Sequence, residues 1–323
     1  MVRNNIFDCM KGIAIFLVVL GHAIPDATSL NGISSELMRV LHSIIYSFHM
    51  PVFFFVAGYF SKFIGDNLVD NIVRRCKRLL LPYFFVGTIY FPFKLLLSQF
   101  ANKPMELLDI LKMPLGVNPD GELWFLYVLF FITIVVGIVI KNIHSIHLVI
   151  SLIIYIIASL FIEVSVIRSL LLYQLYFTLG RYIHEKGLLD IFSFSIIKVL
   201  STGLIFITSN IWLIVNHEVM MIPSLAAALS GIYLTYLTSI FWSKYSEQLY
   251  TVLVFLGCLS MEIYILSDII KIPLRIILYS KLHLYYTTII VCTIVPILLS
   301  ILVSKWIKKS NLLSLLFFGI SRS

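Results

Sequence analysis

Charge is scarce in this sequence: Asp, Glu, Lys and Arg together make up 12% of its 323 residues, against roughly 25% in an average soluble domain. So few charges cannot cover the surface of a water-soluble fold. Cysteine is scarce too. Cys9, Cys76, Cys258 and Cys292 lie far apart and form no CxxC pair, which excludes a disulfide scaffold and a cysteine zinc site and leaves four packing residues. The chain has no P-loop, GxSxG or HExxH pattern, no evident internal repeat, and no polar stretch long enough for a separate soluble domain. Residues 1–323 therefore read as a single domain.

Apolar length fills the space left by charge. Hydrophobic residues are 60% of the chain and its mean hydropathy is +1.01, which excludes disorder. Crossing a hydrocarbon core of about 30 Å takes roughly 20 residues of helix. Ten apolar segments meet that need, at about 6–25, 40–63, 79–100, 122–141, 146–162, 165–184, 195–215, 220–242, 250–271 and 284–307. None alternates as a barrel strand does, and a helix satisfies its own backbone groups in lipid. The expected fold is all-α, a polytopic membrane bundle of about ten transmembrane helices.

The net charge of +8 is spread over short loops, which excludes a nucleic-acid surface. With the N-terminus inside, sixteen of the 24 Lys and Arg residues fall on the cytoplasmic side, including Arg3, Lys62, Lys141 and Arg322. The other eight, among them Lys94, Lys103, Lys112 and Lys271, fall outside, and this asymmetry places both termini in the cytoplasm. The first segment does not read as a signal peptide: Asp8 is acidic where such leaders are basic, and the stretch up to Pro25 gives no small-x-small cleavage site. The loop 101–121, with Pro104, Pro114, Pro119, Asp109, Asp120 and Gly121, reads as an extracytoplasmic lid or a re-entrant piece.

Polar residues inside the spans are the candidates for chemistry, because each is costly in lipid. On the first helix, Lys11 and His22 are eleven positions apart, so they fall within about 20° of one another and about 16 Å apart along the axis, with Asp8 about 60° from Lys11. His22 suits proton transfer, and it equally suits hydrogen-bonded packing between helices. On the second helix His42, Tyr46 and His49 share a stripe, and Pro51 frees a backbone carbonyl that could place His49 beside a kink. The run Arg74-Arg75-Cys76-Lys77-Arg78 suits the phosphates of a nucleotide or coenzyme A, or serves only topology and anionic lipids.

Glu122 and Trp124 open the fourth segment, where a carboxylate complements the helix dipole and an aromatic marks the membrane boundary. The functional reading has Glu122 orient a sugar hydroxyl or partner a histidine while Trp124 stacks on a ring. Ser260, Glu262, Tyr264, Ser267 and Asp268 interrupt the ninth segment. His144, His147, His184, His217 and His283 lie at or near predicted helix ends and carry no assigned role.

Taken together, Asp8-x-x-Lys11-Gly12-Ile13 leading to Val18-Val19-Leu20-Gly21-His22, then Phe48-His49-Met50-Pro51 with Phe53-Phe54-Phe55 and Gly58-Tyr59, resembles the acyltransferase-3 family of integral-membrane acyltransferases, in its fucose 4-O-acetylase-like branch. Arg78-Leu79-Leu80-Leu81-Pro82, Leu123-Trp124-Phe125-Leu126 and Gly257-x-x-Ser260 with Ile263-Tyr264 follow in the same order. The resemblance implies ten or so helices and transfer of an acetyl group from cytoplasmic acetyl-CoA, a donor substrate and no permanently bound cofactor, to a hydroxyl of a sugar or cell-surface glycan, free or lipid-linked. It also implies a bacterial cytoplasmic membrane, with membrane lipids as the remaining partner. Its basic-residue-x10-histidine pattern maps onto Lys11 and His22, and its arginine-rich motif onto 75–78.

These implications set the expected roles. His22, Lys11 and His49 form the catalytic set, with His22 as general base and His49 binding substrate or the developing oxyanion. Lys11, Arg75, Lys77 and Arg78 hold the donor phosphates, and Asp8, Glu122 and Trp124 bind substrate, Asp8 also setting the position of Lys11. Two departures stand out. Members often carry a histidine where this chain has Ser267-Asp268, and Lys11, where many have arginine, is a point charge rather than a fork. On helix count and buried charge alone, a transporter or glycan flippase fits as well.

Overall fold

A computed structural model describes residues 4–24, 33–61, 68–96, 106–140, 142–189, 193–216 and 220–320. Arg3, Pro25, Lys62, Lys103, Pro104, Lys141, His217 and Arg322 lie outside the described residues. Among those described there is no strand, and a helix lies on each of the ten apolar segments.

The bundle opens with α1 (Asn5–Ala23), started by the Asn4 side chain accepting from the Ile6 amide, and α2 (Ile33–Tyr59). A short basic helix, α3 (Leu68–Arg75), passes through a π turn at Cys76–Leu80 into α4 (Leu81–Leu96). The 3-10 segment Leu107–Leu115 and a 3-10 turn at Gly121–Leu123 lead to α5 (Trp124–Ile132), which continues as a π helix to Val139. Then come α6 (Ser145–Phe161), α7 (Ser165–Glu185), α8 (Ile196–Asn216), α9 (Met221–Tyr245), α10 (Glu247–Cys258), α11 (Ser260–Arg275), α12 (Tyr285–Ile307) and α13 (Asn311–Phe318).

Six helical stretches are long and apolar enough to cross a bilayer, α10 and α11 form a seventh as a bent pair, and Gly121–Gly137 and Ser145–Phe161 are shorter apolar helices. The basic run 74–78, read in the sequence as part of a loop, is helical throughout, since no Gly or Pro interrupts 68–81. The segment 250–271 is not one straight helix. It turns by 77° at Leu259, whose ψ of 13° leaves helical geometry.

Before that turn α10 lies closely against α1. A Cβ on Gly257 would stand 1.7 Å from the Asp8 carbonyl oxygen, and one on Gly12 1.9 Å from that of Leu253. Lipid supplies no hydrophobic drive between helices, so small residues that let backbones touch are what bring them together. Gly58 and Gly180 do the same for α2 and α7, each facing a partner carbonyl at 2.0 and 2.1 Å. Gly257→Ala is therefore expected to force α10 off α1 and cost about 1–3 kcal/mol, seen as a lower thermal midpoint in detergent. Gly203→Ala, whose Cβ meets nothing within 4 Å, should leave the midpoint unchanged.

Candidate functional site

α1 presents its two ends to different surroundings. At its start Lys11 pairs with Asp8 at 2.7 Å, one turn apart on the same face. The Asp8 carboxylate is thus spent on Lys11 and lies about 21 Å from His22 by helical rise, and the expected grouping of Asp8 with Glu122 and Trp124 does not form. Lys11 stands about 16 Å from the histidine it was grouped with, so the two cannot act on the same atoms.

His22, in the last turn of α1, meets α2 and the turn before α5. Its Nδ1 lies 2.9 Å from the Tyr46 hydroxyl and 3.2 Å from Glu122 Oε1, and its Nε2 3.4 Å from Tyr46. The predicted α2 stripe is in place: the His42 ring stacks on Tyr46 at 3.9 Å and His49 meets it edge-on at 4.9 Å. His49 is buried, with Nδ1 2.6 Å from the Ile45 carbonyl. A carbonyl only accepts, so Nδ1 carries the proton and Nε2 is left as acceptor. α2 is helical through Pro51, and the carbonyl that His49 uses is not the one proline frees four residues back, at Ser47.

Glu122 is held by a chain of short-range hydrogen bonds. Asn118 Nδ2 donates to the Tyr83 carbonyl at 2.9 Å, Asn118 Oδ1 accepts from the Asp120 amide, and Asp120 Oδ1 accepts from the Glu122 amide. The Tyr264 hydroxyl donates to the Glu122 main-chain oxygen. The Glu122 side chain then joins His22 to α11: Lys271 Nζ is 2.7 Å from Glu122 Oε1 and 2.6 Å from Asp268 Oδ1, and Tyr90 donates to Asp268 Oδ2 at 3.2 Å.

Lys271 is the residue that sequence reasoning passed over, and Asp268, singled out as interrupting the ninth segment, was given no partner. Lys271 was placed among the loop charges, yet its side chain is 3% exposed, because α11 continues to Arg275 after the bend. The signal was available as Asp268-x-x-Lys271, an i, i+3 ion pair inside an apolar helix.

Trp124 packs among protein rings, 5.3 Å from Tyr173 and 6.4 Å from Phe54, and so belongs to the aromatic core. Within the basic run, Arg78 donates to the Phe318 carbonyl at 2.6 Å, closing the end of α13, and Lys308 pairs with Glu262 at 2.5 Å beside it. Arg75 is half-buried and Lys77 exposed. No acidic side chain is placed against either among the described residues. His144, His147 and His184 sit at helix ends and do not join the cluster.

Residues 4–318 match the acyltransferase domain family model. The chain belongs to the acyltransferase-3 family. Two relatives align with part of this family member. Nodulation protein NolL of Mesorhizobium japonicum is 29% identical over 130 residues, 40% of this chain and 34% of the relative. Its namesake in Sinorhizobium fredii is 32% identical over 130 residues, 39% of this chain and 33% of the relative. The aligned stretch thus spans about a third of each relative's length. No solved structure matches.

Proposed function

We propose that the protein is a membrane O-acetyltransferase that moves an acetyl group from acetyl-CoA to a hydroxyl of a sugar or cell-surface polysaccharide. The observation that carries this reading is the contact of His22 with Glu122 deep in a bundle of this family, which gives the histidine an anionic partner. An ionised Glu122 accepting from Nδ1–H leaves Nε2 free to take a proton, the arrangement general-base catalysis needs.

In the reaction, His22 Nε2 removes the hydroxyl proton as the acceptor oxygen attacks the thioester carbonyl. The carbon–sulfur bond then breaks and the coenzyme A thiolate takes the proton back from His22, which leaves an ester and free coenzyme A. Tyr46, through its hydroxyl, and His49, if its Nε2 takes up a proton, are the donors nearest to hand for the developing oxyanion. Lys11, about 16 Å from His22 along α1, and Arg75 would hold the donor's phosphates, with the pantetheine arm bridging the distance. This reading puts both termini in the cytoplasm of a bacterial cell and the acceptor beyond His22.

The test is transfer from labelled acetyl-CoA into alkali-labile glycan ester, in host membranes carrying the wild type or an equally expressed His22→Ala. Incorporation in the variant is expected to fall by a factor of about 10²–10⁴, the usual share of a general base. Equal incorporation would remove His22 from the mechanism. Movement of glycan without release of coenzyme A would turn the reading toward a carrier.

A further inference from the structure

We infer that the segment 106–117 is a re-entrant hairpin set inside the bilayer, with its leucines against lipid acyl chains. Depth is the first argument. The apolar run 79–96 of α4 holds a single charge, Lys94, and spans about 27 Å from Arg78, close to a full hydrocarbon core. Gly87 stands at its middle, and a Cβ there would fall 2.6 Å from both Met113 Cε and the Asn118 amide. The hairpin therefore passes α4 halfway across the membrane and not above it.

Backbone accounting points the same way. Non-helical backbone at membrane depth persists only where protein groups satisfy it. Here the Tyr83 hydroxyl donates to the Met113 carbonyl at 3.0 Å and the Tyr127 hydroxyl to that of Pro114 at 2.7 Å. The chain reverses at Gly116, whose φ of 86° is open to glycine and whose amide closes on Lys112 and Met113. Buried Tyr83 and half-buried Tyr127 supply what water would supply to a surface loop.

The outer edge completes the case. At three residues per turn, Ile110 and Met113 share the edge turned to the protein and Leu108 and Leu111 share another, while Asp109 and Lys112 share the third and pair at 2.7 Å. Leu107, Leu108, Leu111 and Leu115 are 70–72% exposed. Phe93 and Leu96, exposed on α4, continue this apolar surface along a helix that crosses the membrane. The occupant is thus the same as for the spans, lipid hydrocarbon. The hairpin leads straight into Asn118, Asp120 and Glu122, so the partner of His22 is carried on a lipid-facing element, whatever reaction the site performs.

An environment-sensitive nitrobenzoxadiazole label on Leu111→Cys, or on Leu108→Cys as a second position, tests this in vesicles of phosphatidylcholine and phosphatidylglycerol. Labelled wild type gives the background of the four native cysteines, and Lys186→Cys, on an exposed helix end, gives the aqueous reference. Emission at 111 is expected to shift to the blue and to be lost to lipids spin-labelled deep in the chain, with iodide having no effect. Quenching by iodide as at 186 would place the segment in water. Quenching by neither agent would mean that protein covers it, and either result overturns the inference.

Discussion

Glu122→Gln should lower acetyl transfer by about 10²–10⁴-fold while the protein still folds. Glutamine keeps the size of the side chain but not its charge. Lys271 is a donor only, so the amide oxygen takes the place of Oε1, the atom that meets both Lys271 and His22 Nδ1. His22 keeps its tautomer, but the carboxylate that would stabilise the imidazolium formed on proton removal is gone. The loss should appear in kcat, with the KM for acetyl-CoA little changed, since the site proposed for the donor's phosphates lies at Lys11, toward the other end of α1. A transfer assay at saturating donor reads this directly. Wild-type kcat would show that Glu122 does not set the state of His22.

Lys271→Met should cost about 3–5 kcal/mol of stability, the usual result of removing one partner from a buried ion pair. Glu122 and Asp268 both spend a carboxylate oxygen on Nζ, at 2.7 and 2.6 Å. Without it, two acids face each other across a dry interface between α11 and the turn before α5. Lys271→Met combined with Asp268→Leu should recover much of the loss, because no unpaired charge from α11 remains. Thermal unfolding in detergent distinguishes the two variants. A single variant as stable as wild type would show that the cluster is wet enough to do without its cation.

The local parts of the site were legible wherever one helix carries them. Asp8 with Lys11, the turn between them, and the stripe of His42, Tyr46 and His49 follow from helical period alone. What crosses between helices was legible only in outline, as a Glu122 that could partner an unspecified histidine. That His22 meets Glu122 depends on Asn118 and Asp120 fastening the 3-10 turn, and that Lys271 completes the cluster depends on the bend at Leu259. Neither leaves a mark in hydropathy. Lys271 looked like a loop charge because an apolar window ends where it begins, although the helix does not. Arg78 could be read as a phosphate ligand until its hydrogen bond to α13, 240 positions away in the chain, came into view.

α1 is made well before α10, α11 and α12, and it packs against all three. Until those arrive, its polar face, with Asp8, Lys11 and His22, has only α2 of the neighbours synthesised early to shelter it from lipid. Membrane insertion and assembly are therefore separate events for this helix, divided by the synthesis of more than two hundred residues. A half-made chain holds His22 and none of α11. Glu122, Lys271 and His22 come together only once α11 has been made, so the nascent protein enters the membrane without an assembled centre.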